Sequence, residues 1–142
     1  MGDRSNVTLV FDSDPNKVVD IYSHWSGKEL FETVREAIAE GERWDDDRYL
    51  ARIITSRVLA TASDPSLGFG ISPESTHDAC SYPSLVVDLA ANRVAFRDSD
   101  DTSPIRKDEG ESFFDFGDNS SQFAYHARGN SVDTKKVLRV AK

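Results

Sequence analysis

The chain has 142 residues, a formal net charge of −8, 38% apolar residues and 30% charged ones. That length suits a single domain able to bury roughly two-thirds of its unfolded surface. The negative charge excludes the Lys/Arg-rich face that a nucleic-acid backbone or an anionic membrane requires, and it fits a surface that meets a basic partner.

A lone Cys80 allows no internal disulfide, which points to a reducing, cytoplasmic compartment. The start MGDRSNVTLVF lacks the apolar core of a signal peptide, and no run approaches the ~20 apolar residues of a membrane-spanning helix.

Val7–Asp12 alternates, with Val7, Leu9 and Phe11 on one face and Thr8 and Asp12 on the other. Ser13-Asp14-Pro15-Asn16 supplies turn chemistry, and Lys17–Ser23 reads as a second strand completing an antiparallel hairpin. Ser26-Gly27-Lys28-Glu29 has the form of a capping box. Beyond it Leu30, Phe31, Val34, Ala37 and Ile38 fall on one helical stripe that ends at Gly41. A second helix begins at Asp45-Asp46-Asp47, where acids suit the positive end of the helix dipole. Its apolar face is expected to hold Tyr49, Leu50, Ile53, Ile54 and Val58, and it ends by Ala62.

The remainder is β-like. Leu67–Ile71 alternates large residues with glycine, and Leu85–Leu89 and Val94–Phe96 form a hairpin across Ala90-Ala91-Asn92-Arg93. Asp98–Gly110 reads as a mobile acidic loop. Phe113–Phe116 and Gln122–Ala127 read as short aromatic strands, and Lys135–Ala141 as an edge strand or a helical turn. The order ββααβββ, with one or two further C-terminal strands, defines an α+β fold. In it a mainly antiparallel sheet carries an antiparallel helix pair on one face, all in one domain.

Candidate ligand-binding residues cluster where strand meets helix. His24, Trp25, Ser26 and Gly27 combine a proton carrier, a stacking ring, a hydroxyl and a small residue at a helix start, whose free amides suit an anion. Simple helix capping and apolar packing explain the same residues. Arg57 lies seven positions after Leu50, on the stripe of Leu50, Ile53, Ile54 and Val58. There it must snorkel, pair with a carboxylate or hold an anionic ligand. Gly68 and Gly70 leave space over a strand for a ligand or, more simply, for a helix. Three adjacent aspartates point in different directions and suit capping better than a metal. GxxxxGK[ST], G-x-S-x-G and H-E-x-x-H are absent, and no pattern asks for a cofactor or metal.

The segment IYSHWSGKELFETVREAIAEGERWDDDRYLARII, with GFGIS and LVVDL downstream, resembles uncharacterised small proteins of tailed phages and actinobacterial genomes. The shared pattern is HWSG…RWDD…YLARI, spanning roughly Val18–Phe96. The resemblance implies a phage-type accessory protein, in the host cytoplasm if viral, and no particular activity.

Three functions are open at this point. The first is a non-enzymatic protein that binds a small anionic or nucleotide-like molecule, such as a host defence signal, through His24–Gly27, Arg57, Gly68 and Gly70. The second is an acidic inhibitor of a basic host protein. The third is a small hydrolase using His24. A homo-oligomer is compatible with each.

Overall fold

The computed structural model describes residues 4–24, 29–41, 43–61, 68–73, 83–97 and 104–117. The elements run β1 (Ser5–Val10), β2 (Val18–Ser23), α1 (Glu29–Ala39), α2 (Asp47–Ala60), β3 (Phe69–Ser72), β4 (Ser84–Asp88), β5 (Arg93–Arg97), β6 (Glu111–Ser112) and α3 (Phe113–Gly117). Among the described residues the six strands form one sheet in the order β3-β2-β1-β4-β5-β6. Only β1 and β4 pair in parallel; every other neighbouring pair is antiparallel. The parallel pair arises because the chain leaves the β1–β2 hairpin, makes both helices and β3, and re-enters beside β1, as a parallel connection demands. This is the expected α+β architecture, with a mixed sheet and a third helix.

Side-chain alternation gives the sheet two faces. Val7, Leu9, Ile21, Leu85, Val87, Val94 and Phe96 meet Leu30, Phe31, Val34 and Ile38 of α1 and Leu50, Ile54 and Val58 of α2 in one core. Phe31 and Phe96 meet edge-to-face at 5.1 Å between ring centroids. On the opposite face a smaller cluster joins Val10, Val86, Ala95 and Ile105, with Val18 against it.

The helix ends follow their local chemistry. Gly41 takes a φ of +73°, and its N–H donates to the Ile38 carbonyl at 3.0 Å, closing α1 where expected. Asp46 caps α2, its carboxylate accepting from the Tyr49 amide at 3.2 Å. The expected Ser26 cap of α1 lies outside the described residues. On α2, Ala51 is buried and Tyr49 is 41% exposed, so the apolar face is turned away from Tyr49. Tyr49 instead lies beneath two guanidinium groups, Arg43 at 4.3 Å and Arg52 at 4.8 Å from its ring centroid.

One further expectation is corrected. Phe113–Phe116 forms helix α3 rather than a strand. Phe113 and Phe116 are buried while Phe114 and Asp115 are exposed, a helical i, i+3 spacing, and the Ser112 hydroxyl accepts from the Asp115 amide at 3.1 Å to start the turn. The described half of the acidic loop, 104–110, packs on the sheet. Ile105 is buried against Val10, Val86 and Ala95, and Glu109 grips Arg97 through two bonds of 3.0 and 2.9 Å. Arg93 donates to the carbonyls of Glu109 and Gly110, drawing this loop along β5. Gly110 adopts a φ of +67°, and a Cβ there would fall 1.8 Å from the Val94 carbonyl oxygen. Residues 98–103, the expected strand Gln122–Ala127 and the segment Lys135–Ala141 lie outside the described residues. No helix among the described residues is long and apolar enough to cross a membrane.

Candidate functional site

Three of the sequence-predicted site residues come together at the end of β2. The His24 N–H donates to the Gly68 carbonyl at 2.8 Å, and Gly70 stands opposite Tyr22 in the β2–β3 register. The Tyr22 hydroxyl and His24 Nδ1 share a hydrogen bond of 3.0 Å, their rings edge-to-face. Gly68 is required by its φ of +92°, whereas a Cβ at Gly70 would meet Tyr22 at 3.9 Å, an ordinary contact. Trp25, Ser26 and Gly27 lie outside the described residues.

Arg57 takes none of its contacts from that group. Its guanidinium pairs with the Glu40 carboxylate across the α1–α2 seam, with both side chains partly exposed. The carboxylate option therefore applies, with an acid from the end of α1 that is near solvent rather than buried.

A polar belt that alternation alone does not reveal crosses the sheet face opposite the helices. Asn6, Thr8, Asp20 and Ser84 are buried there. Asp20 Oδ1 accepts from Asn6 Nδ2 at 2.7 Å and from the Thr8 hydroxyl at 3.0 Å. The Ser84 hydroxyl in turn donates to Asn6 Oδ1 at 2.9 Å, and Arg97 is the register partner of Ser84. In this geometry Ser84 gives its proton to an amide oxygen, and the donors to Asp20 include two neutral ones, Asn6 and Thr8. The belt binds the strands to one another side chain by side chain.

The described clefts lie elsewhere, on either side of Trp44. One has a volume of about 240 Å³ and is bounded by Ala39, Trp44, Phe113, Phe114 and Gly117. The other, of about 470 Å³, is bounded by Arg43, Trp44, the three aspartates Asp45–Asp47 and the β4–β5 turn residues Leu89, Ala90 and Asn92. Trp44 is fixed between them. Its Nε1–H donates to the Ile38 carbonyl at 3.0 Å, and its ring meets Phe113 edge-to-face at 5.7 Å. Two arginines frame this region in different ways. Arg43, at a φ of +62°, turns onto Tyr49. Arg35 is buried on α1, forks onto Glu32 and donates to the Gly117 carbonyl at 3.0 Å. The hydrogen bond to Glu32 raises the Arg35 pKa against the opposing effect of burial. This tie holds the end of α3 on α1, and with it the position of Phe114.

The Arg43–Tyr49 segment suggests only capping from its sequence, and that is what Asp46 does. The clefts around it depend on α3, whose helical i, i+3 phenylalanine spacing is the one local signal pointing to them. Among the described residues no group of three or more His, Cys, Asp or Glu side chains is arranged to hold a metal ion. No protein-family model, curated protein or solved structure matches the chain.

Proposed function

We propose that this chain is a binding protein without chemistry of its own, which recognises a basic partner protein through the aromatic and acidic surface around Trp44. The observation that supports it is the exposure of Phe114 at 73%, at the rim of an apolar cleft whose wall, Trp44, also borders a cleft with three aspartates. A large exposed aromatic beside a concave apolar surface is characteristic of an interaction site. The net charge of −8 favours basic partners at long range. In the phage-type setting that the resemblance implies, the partner is a host protein and the chain acts in the host cytoplasm.

A second reading has its own observation. His24, Gly68 and Gly70 do meet at the end of β2, which favours a small anionic or nucleotide-like ligand at that turn. Native mass spectrometry of the full chain purified from cells separates the two. The first reading expects a co-purifying basic polypeptide that is released at high ionic strength. A small anionic adduct that His24→Ala abolishes would replace it with the second.

A further inference from the structure

The two clefts flanking Trp44 are of different chemistry and share one rigid wall. Building on the interaction reading above, we infer that they hold a short partner segment with two anchors: a bulky apolar side chain between Trp44 and Phe114, and an adjacent Lys or Arg beside Asp45.

Size and lining point to the first anchor. The smaller cleft, bounded by apolar side chains and backbone, falls at about 240 Å³ below the ~300–1,000 Å³ of small-molecule sites and suits a single side chain. Its walls are the rings of Trp44, Phe113 and Phe114, with Ala39 and Gly117 as small floor residues. Gly117 itself packs tightly on α1, since a Cβ there would lie 3.0 Å from the Ala39 Cα. Phe113 and Phe116 fasten α3 to the core, so Phe114 is presented outward by a helix that is already anchored. Trp44 is held by its hydrogen bond to Ile38 and its contact with Phe113. A partner side chain entering between these rings therefore orders little that is not already ordered.

Charge determines the second anchor. Of the aspartates bordering the larger cleft, Asp46 is engaged as the α2 cap, and Asp47 lies 3.5 Å from Arg48. Asp45 makes neither an ion pair nor a hydrogen bond among the described residues. The one cationic side chain of that cleft, Arg43, is turned onto the Tyr49 ring. An acidic segment would face repulsion here, and a wholly apolar one would leave Asp45 desolvated without a partner. A segment combining an apolar side chain with a basic one satisfies both clefts at once.

The full chain, fluorescently labelled, is tested against a positional-scanning array of short synthetic peptides. The selected peptide is then titrated against the wild type, Phe114→Ser and Asp45→Asn. Both substitutions are at exposed positions. Selection of an aliphatic or aromatic residue next to Lys or Arg is expected. Phe114→Ser should then weaken binding about tenfold or more, and Asp45→Asn should weaken it by about threefold and flatten its salt dependence. Failure to select any peptide overturns the inference, as does selection without this pairing or affinity unchanged in both variants. Salt-sensitive binding that survives Phe114→Ser would indicate a diffuse acidic surface, which overturns the two-anchor site and leaves the interaction reading standing. Absence of any polypeptide in the native mass spectra would instead overturn the interaction reading itself.

Discussion

The two faces of the central sheet are built from the same strands by opposite means. Toward the helices, Val7, Leu9, Ile21, Leu85, Val94 and Phe96 close an apolar core around Phe31. Away from them, beside the small apolar cluster of Val10, Val86, Ala95 and Ile105, the intervening positions carry Asn6, Thr8, Asp20, Ser84 and Arg97, which are also buried. The first face is held by area removed from water, which is tolerant of detail. The second is held by matched donors and acceptors, where removal of one partner strands another. Burial alone therefore does not indicate how a position will respond to change; the partner does.

The largest effects should distinguish these two modes. Phe31→Ala on the helix face should cost about 3–5 kcal/mol through the cavity it leaves, and Phe31→Leu should recover much of that. Arg97→Leu on the polar face should cost about 3 kcal/mol although leucine is the more apolar side chain, because Glu109 loses its bidentate partner. Adding Glu109→Leu should restore stability in the second case. Urea denaturation of the three single variants and the double variant checks the contrast. A double variant no more stable than Arg97→Leu would break it, since the loss would then lie in packing.

Next in size, Asp20→Ala should cost about 2–3 kcal/mol, because the amide of Asn6 and the hydroxyl of Thr8 lose a common acceptor. Replacing the set with Asn6→Leu, Thr8→Val, Asp20→Leu and Ser84→Ala together, so that the Ser84 hydroxyl is not left without its Asn6 acceptor, should be less damaging than Asp20→Ala alone if the belt is a set of mutual dependencies. Thermal melts of the two variants give the comparison.

The helix face was legible in the sequence because its pattern is repeated: α1 places Leu30, Phe31, Val34 and Ile38 on one stripe, and the strands alternate to meet it. The polar face was not. In Val7–Asp12 the alternation of Val7, Leu9 and Phe11 with Thr8 and Asp12 has the pattern of a strand with one wetted face, and only the burial of every side chain in β1, which is paired on both edges by β2 and β4, shows both faces covered. Phe113–Phe116 reads as a strand for a related reason: three phenylalanines suit a strand by propensity, and the i, i+3 burial appears only once α3 rests on α1. The candidate clefts inherit that difficulty, since Phe114 borders one of them only as a helical residue.

Capping should give an intermediate effect. Asp46→Ala should lower stability by about 1 kcal/mol through loss of the acceptor for the Tyr49 amide. Asp45→Asn should be nearly silent in the same melt, although both residues border the same cleft. An equal loss in the two variants would mean that the acidic run acts as a whole through the helix dipole rather than through one capping carboxylate.

Arg57 should give the smallest effect, and it bears on the comparison from the other side. From its place on the α2 stripe it has the appearance of a cation set into an apolar face, where removal ought to resemble the loss of Arg97. Its guanidinium instead reaches Glu40 at the edge of the helix pair, with 38% of the arginine side chain and 47% of the glutamate side chain exposed. Water can solvate either group once the other is gone, so neither is stranded, and exposed pairs are worth about 0–1 kcal/mol. Arg57→Leu should therefore change stability by less than about 1 kcal/mol, and high salt should erase the difference. A loss near that of Arg97→Leu, persisting in salt, would show that the pair is shielded from solvent and that accessibility does not separate the two arginines.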